Sequence, residues 1–403
     1  MNISSNKNCI ECRACVQICA KSAIDMCQNE EGFSYPVVDT NTCTDCGLCT
    51  KVCPTLHSEL VKWPTGKVYA AQSNDEKTLK GSSSGGVFTL IAEYVIKKLD
   101  GIVYGAAWDE GMQLHHIGVE RLDDLAKLRG SKYVHSDIGH SFNEIRDYLR
   151  NGRWVYFVGT PCQVAGLRLF LRKEYETLLT SDLICHGTPS QKLFNMFLHQ
   201  IETERNGKVI DYNFRDKKVF GWTCASSSSS LEKNGKSSYL FYDKNMRSYF
   251  NAFLKGHITR QDCYECKFAC TSRVGDITLA DYWGINKQHP EFPQIRKGVS
   301  LILVNSKKGE SVIDTIRNKM ILFDSTIEKV LQTTNHNLHS PTPKPAERND
   351  AYKRAFKDFL SFRDSYIQDE RPESYYRRIY IKSKIKKMPL VKLVLRIIKK
   401  NNK

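Results

Sequence analysis

No stretch of this chain stays apolar and uncharged over the ~18–20 residues that a bilayer crossing needs. No apolar segment follows Met1 in "MNISSNKNCIEC", as an export leader would require. These absences predict a cytoplasmic protein. Acidic residues are missing from 377–403, where eleven Lys and Arg stand without one Asp or Glu. Eleven of the sixteen net positive charges therefore belong to one terminal segment, which leaves five for the rest. A zinc-stabilised nucleic-acid binder would interleave basic and aromatic residues on a folded surface. Here the charge is a local tail, and no nucleic-acid partner is expected.

Cysteine, by contrast, is plentiful: fifteen residues, nine of them before residue 54. Without an export signal disulfides are disfavoured, and metal ligation becomes the first question. Cys9, Cys12, Cys15 and Cys19 are spaced C-x2-C-x2-C-x3-C, and Cys43, Cys46, Cys49 and Cys53 repeat the spacing. This is the bacterial two-cluster ferredoxin run, in which each fourth cysteine ligates the other cluster. It predicts one [4Fe-4S] cluster on Cys9, Cys12, Cys15 and Cys53, and a second on Cys43, Cys46, Cys49 and Cys19. A structural zinc site would want two separated C-x2-C pairs, which these runs do not supply. Cys27 falls outside the pattern and reads as a small buried residue. "PTLHSELVKWPTG" (54–66) carries two prolines and reads as a linker.

Beyond it the pattern alternates. Strands are expected at 67–72, 101–108, 154–159, 178–185, 276–283 and 298–305. Helices are expected at 87–95, 141–152, 160–171 and 190–201, with another starting at 309. Alternation of this kind predicts an α/β core with a largely parallel sheet. "GSSSGG" (81–86) offers glycines, hydroxyls and a following helix N-terminus, the parts of an anion-binding turn. "RGSKYVHS" (129–136) adds a cation and an aromatic ring. Each, taken singly, is equally the composition of a solvated loop.

Six cysteines remain. Cys162 opens a helix after a strand, a position that favours a thiolate, and Cys185 follows the next strand. Open α/β sheets bind ligands at such strand ends. Cys263 and Cys266 form a C-x2-C pair. Together these four could hold one further [4Fe-4S] cluster or one zinc. Cys224 and Cys270 are read as ordinary apolar residues.

In order along the chain stand "SSSGGVFTLI", "RGSKYVHS", "VGTPCQVAGL", "DLICHGTPS", "CYECKF…RVGDITLADYWG" and "KGVSLILVN". This series resembles the coenzyme F-420 hydrogenase/dehydrogenase beta-subunit family, in its bacterial form with an N-terminal two-cluster ferredoxin, over roughly residues 1–310. The resemblance implies an iron–sulfur flavoprotein, an oxidoreductase passing electrons between an electron carrier and a small organic hydride donor or acceptor. The carrier would be a ferredoxin or another redox subunit. It also implies a third [4Fe-4S] cluster on Cys162, Cys185, Cys263 and Cys266. FAD would be held by Ser83, Ser84, Gly85, Gly86, Ser131, Lys132, Tyr133 and Thr160. A non-catalytic relay subunit, keeping the clusters but docking onto a separate enzyme, is the competing reading.

The expected organisation is thus mixed α+β and α/β. A ferredoxin domain (1–60) is followed by the two parts of a flavin-binding catalytic domain (65–150 and 151–340) and a basic helical tail (341–403). The tail's mixture of Ile, Leu and Val with cations suits contact with an anionic membrane surface, and equally a solvated terminal helix or an acidic docking partner.

Overall fold

The computed structural model describes residue 3 and residues 8–222, 226–366 and 373–385. Cys224 and the last part of the basic tail lie outside the described residues.

The N-terminal module is a hairpin, β1 (Ile24–Gln28) with β2 (Ser34–Val38), flanked by short helices at Ala14–Ile18 and Leu48–Lys51. The sequence repeat is also a backbone repeat. Glu11 and Asp45 occupy equivalent left-handed positions (φ 58° and 50°), as do Arg13 and Gly47 (58° and 70°). A non-glycine residue adopts this conformation only when its surroundings hold it there. The reward is visible: the Glu11 N–H donates to Cys9 Sγ and the Asp45 N–H to Cys43 Sγ, each at 3.4 Å.

The rest builds on an eight-stranded sheet. Its strands are β3 (Val68–Ser73), β4 (Ile102–Trp108), β5 (Leu114–Val119), β6 (Val155–Val158) and β7 (Leu178–Leu183), with β11 (Ile277–Asp281), β12 (Ser300–Val304) and β13 (Met320–Ser325). They run in the order β13-β3-β12-β11-β7-β6-β4-β5. The intervening strands β8 (Lys208–Asn213), β9 (Ser228–Lys233) and β10 (Lys236–Phe241) make a separate antiparallel sheet. In the main sheet only β4, β6, β7 and β11 are mutually parallel; β5, β12, β3 and β13 are added antiparallel. The expectation of a largely parallel sheet is therefore corrected to a mixed one. β5 follows β4 by a tight reversal, and β11 is joined to β12 through a four-residue helix (Ile285–Gln288) and a single tight turn of helix (Ile295–Lys297). Neither connection supplies the crossover that parallel pairing needs.

Both faces of the sheet are covered. Helices Val87–Leu99 and Lys307–Ile316 pack one side, around Ile91, Val95, Ile302 and Ile313. Helices Ser141–Arg150 and Pro161–Leu171 pack the other, around Phe142, Phe157, Leu167 and Phe170, and Ala14 and Val52 of the N-terminal module join them. One core thus runs into the ferredoxin module.

Three further expectations change. Residues 54–66 are fastened down: Trp63 and Arg273 exchange backbone hydrogen bonds at 2.7 and 2.8 Å. The Arg168 guanidinium stacks on the Trp63 ring at 3.6 Å and donates to the Val61 carbonyl. The segment expected to begin the tail at 341 instead contributes Ala351, Tyr352, Ala355 and Phe362 to a core with Phe33, Phe194 and Tyr249. Arg348 reaches back to pair with Glu31 on the first hairpin. Cys27, expected buried, is exposed on β1.

Candidate functional site

Of the eight N-terminal cysteines, Cys9, Cys12, Cys15 and Cys53 lie close enough to act on one another. Burial pushes the Cys9 thiol up to about 11, that of Cys15 up to about 12, and that of Cys12 well above its ordinary value. Cys53 acts on both Cys12 and Cys15, and Cys9 on both, each raising the cost of a thiolate. These four sulfurs therefore share one neighbourhood. Cys19 and Cys49 pack against Cys15 and Cys53 in the module's own small core. The Ala23 N–H donates to Cys19 Sγ at 3.4 Å. Cys46 is exposed and Cys43 half-exposed, so this end of the module faces solvent.

A second gathering lies in the α/β domain. Cys162 is the second residue of the Pro161–Leu171 helix, whose start is fixed by a capping box between Thr160 and Gln163 with proline at the first position. Cys185 follows β7. Cys263 and Cys266 come from the single-turn segment Gln261–Glu265 and its end. Burial raises Cys162 to about 12, Cys263 to about 11 and Cys185 well above its ordinary value, and each of the three is also raised by the others or by Cys266. Cys266 is raised by burial, while backbone N–H groups of Phe268 and Ala269 work against that rise. The Gly187 N–H donates to Cys185 Sγ at 3.4 Å, the same N–H···S bond as in the ferredoxin loops. Cys270 is turned aside, its thiol donating to the Ser272 carbonyl at 3.1 Å. Buried Arg273 ties this loop down through the carbonyls of Phe268, Cys270 and Leu183.

Among the described residues no three His, Cys, Asp or Glu side chains close tightly enough on a point for a single metal ion. A lone zinc wants every sulfur at about 2.3 Å, whereas a cubane takes one thiolate at each of four separated corners. Four half-buried thiols that repel one another as thiolates, each met by backbone N–H groups or neighbouring sulfurs, fit a group that brings positive iron among them. The two gatherings adjoin. Gly166, one turn after Cys162 on the same helix, faces Cys12 so closely that a Cβ there would lie 3.0 Å from its Cβ and Sγ.

The residues expected to hold flavin fall in two touching loops. The Ser131 N–H donates to Ser83 Oγ at 2.7 Å, and Ser84 Oγ donates to the Val299 carbonyl. Gly85 serves the sheet: a Cβ there would come within 2.3 Å of the Ala71 carbonyl oxygen. Gly86, at φ 88°, turns the chain into the thirteen-residue Val87–Leu99 helix, whose N-terminus has no side-chain cap. Lys132 donates to the carbonyls of Leu128, Arg129 and Gly130, and burial lowers it to about 8. The Tyr133 ring packs on Phe253 at 4.7 Å and its hydroxyl accepts from Arg215. Thr160 lies beside the thiol group, its hydroxyl 3.1 Å from Cys162 Sγ.

Three features beside these loops carried no role in the sequence reading. Arg129 has a buried Nε without a hydrogen-bond partner and reaches to within contact of Gly81 at the start of the Gly/Ser turn. An orphaned guanidinium N–H, free helix N–H groups and serine hydroxyls are what a phosphate-bearing ligand needs. Lys217 donates to the carbonyls of Ser84 and Lys297. Asp281 accepts from Arg215 and from the Trp222 indole. A lone Arg or Lys between loops gives no sequence signal of such placement.

Two groups of cysteines in series are the layout of an iron–sulfur electron-transfer protein of the oxidoreductase class. Residues 8–56 match the 4Fe-4S dicluster domain. Residues 68–141 and 152–329 match the N-terminal and C-terminal parts of the coenzyme F420 hydrogenase/dehydrogenase beta subunit. The chain belongs to that family, in the form that carries an N-terminal 4Fe-4S dicluster domain. It is 24% identical over 355 residues to the coenzyme F420-dependent sulfite reductase of Methanocaldococcus jannaschii, across 80% of this chain and 48% of that one. It therefore spans about half the length of this curated relative. A chain in the F420-reducing [NiFe] hydrogenase complex from Methanosarcina barkeri aligns at 16% identity, over 74% of this chain and 94% of its own, with a TM-score of 0.45. No helix among the described residues is long and apolar enough to cross a membrane.

Proposed function

We propose that this protein is a flavin-dependent iron–sulfur oxidoreductase that moves electrons between a redox carrier, a ferredoxin or another subunit, and a small organic hydride donor or acceptor. The observation that carries the reading is the second thiol group: Cys162, Cys185, Cys263 and Cys266 converge outside the ferredoxin module, one helical turn from Cys12.

In this reading residues 1–60 carry two [4Fe-4S] clusters and residues 65–340 bind FAD and a third cluster. Cys43, Cys46, Cys49 and Cys19 hold the outer cluster, where solvent exposure admits a carrier. Cys9, Cys12, Cys15 and Cys53 hold the inner one, and Cys162, Cys185, Cys263 and Cys266 the third. Ser83, Ser84, Gly85, Gly86, Ser131, Lys132, Tyr133 and Thr160 frame the flavin, with Arg129 added as the counter-charge to its phosphates. Flavin, when bound, exchanges hydride with organic molecules and single electrons with metal centres. The chain's own part would be to hold that ring near the second thiol group, which Thr160 meets through Cys162, and to exclude water with the apolar side chains of Phe142, Phe157 and Val164. The family's title makes a deazaflavin the first organic partner to assay. The basic tail adds peripheral contact with an anionic membrane: in its described part Ile381 and Ile385 are exposed beside Arg378 and Lys382, while Tyr376 and Tyr380 dock on the small sheet.

Anaerobic purification with metal and flavin analysis tests the proposal. About one flavin and about twelve iron atoms per chain are expected. About eight iron atoms and no flavin would leave only the relay.

A further inference from the structure

Arg260 lies between the two groups of thiols and is 1% exposed. A guanidinium so deeply buried is costly unless each of its donors is met. Here each nitrogen is. Nε donates to the Cys9 carbonyl at 2.8 Å and to Asp262 Oδ2 at 3.1 Å. Nη1 donates to Glu11 Oε2 at 2.8 Å, and Nη2 to the Ser34 carbonyl at 3.1 Å. The plane also lies over the Tyr35 ring at 4.4 Å and the Phe33 ring at 5.1 Å. Asp262 apart, all these partners belong to the ferredoxin module, and Cys9 and Glu11 stand in the cysteine loop itself.

The backbone of the same residue faces the other way. Its N–H donates to the Thr188 carbonyl, and its carbonyl accepts from the Cys263 N–H at 3.0 Å. One residue thus grips the loop of the inner ferredoxin cysteines with its side chain and the loop of the second thiol group with its peptide. Glu11 completes the clamp by accepting from the Ser34 N–H at 3.1 Å, with His135 Nε2 3.8 Å away.

We propose that Arg260 is a positioning residue that fixes the distance and orientation between the inner ferredoxin cluster and the third cluster, and so sets their electronic coupling. This rests on the cluster assignment above. Planarity matters as much as charge: a lysine ammonium cannot serve four acceptors in one plane while stacking on two rings. The module stays tethered without Arg260, through Trp63 with Arg273 and through Glu31 with Arg348. Its loss is therefore expected to loosen the junction rather than unfold the protein.

The experiment compares anaerobically purified full chain with R260K and with the double variant R260M/E11Q, which removes both charges so that neither is left buried alone. The readouts are iron content, spin–spin splitting in the electron paramagnetic resonance spectrum of the reduced protein, and amide exchange over residues 24–38. About twelve iron atoms and a split signal in the unaltered protein establish the clusters. About eight would sink the cluster assignment itself rather than the role of Arg260. With the clusters established, both variants are expected to keep their iron, lose the splitting between the inner and third clusters, and exchange faster over the hairpin. Unchanged splitting and unchanged exchange in both variants would overturn the proposal, and so would loss of splitting in R260M/E11Q with R260K unaffected, since planarity would then not matter.

Discussion

Gly166 and Cys12 touch across the junction of the two domains, with no room for a methyl group between them: a Cβ on Gly166 would sit 3.0 Å from both Cβ and Sγ of the cysteine. G166A forces the cysteine loop to give by a few tenths of an ångström, and G166L cannot be accommodated without moving it. Overpacking of this kind costs about 1–3 kcal/mol. G166L is expected to lose the inner cluster, its iron falling from about twelve to about eight atoms per chain. Iron and sulfide analysis checks this, and a fully loaded G166L would show that the contact is not constraining.

C185S and C263S remove ligands from the second thiol group alone. Each is expected to lose about four iron atoms, while dithionite still bleaches the two ferredoxin clusters normally. Reduction of bound flavin by reduced carrier should become far slower. If flavin is reduced at the usual rate, the third cluster does not lie on the path.

Arg129 gives a prediction that separates binding from folding. Its buried Nε lacks a partner in the protein, so R129Q sacrifices no hydrogen bond there in the flavin-free state. A hydrogen bond to a charged group contributes about 1.5–3 kcal/mol, so flavin should bind roughly 10- to 150-fold more weakly. Titration of the flavin-free protein measures the affinity. The melting temperature of that flavin-free form should not change.

His116 sets a limit on acid stability. Its ring is buried, bonded to Ser136 Oγ at 2.7 Å and to the Val158 carbonyl at 3.1 Å, and burial lowers its pKa from 6.5 to about 4. The folded protein therefore takes up the proton later than the unfolded chain does. Above pH 6.5 nothing is lost; between pH 6.5 and about 4 the unfolded state gains protons first and stability falls. At pH 5 the loss is about 2 kcal/mol. Denaturant unfolding at pH 7.5 and pH 5 should show a drop in the unaltered protein that H116Q lacks. Equal drops in both would place the acid sensitivity elsewhere.

The terminal segment can be tested without touching the redox sites. Full-length protein should float with vesicles rich in phosphatidylserine and be released by high salt, and a chain ending at Glu373 should stay behind. Equal flotation of the two would end the membrane reading.

What could be read from the sequence follows how local each feature is. The ferredoxin cysteines were legible because three ligands of each cluster lie within seven consecutive residues. The second thiol group is assembled from three distant segments; spacing alone left zinc and a cluster equally open, and family resemblance made the choice. The sheet's antiparallel strands β5 and β13 escaped notice because short apolar runs give no direction. The β9–β10 hairpin did carry a signal: Asn234 and Gly235, at φ 51° and 70°, form the Asn-Gly turn that marks a tight hairpin. Its serine-rich strands masked it. Arg260 was invisible, since a buried clamp and a solvent-facing arginine look alike in a row of letters. The linker and the presumed start of the tail misled for one reason: proline signals a bend in the chain, and a bent segment can still be bolted to its neighbours.

The pairing of Glu31 with Arg348 joins residues 317 positions apart. During synthesis the ferredoxin module therefore emerges from the ribosome long before its clasp exists, with the cysteine loops still open to whatever delivers iron and sulfide. The latch cannot close before Arg348 has been made, which leaves those loops an interval of access.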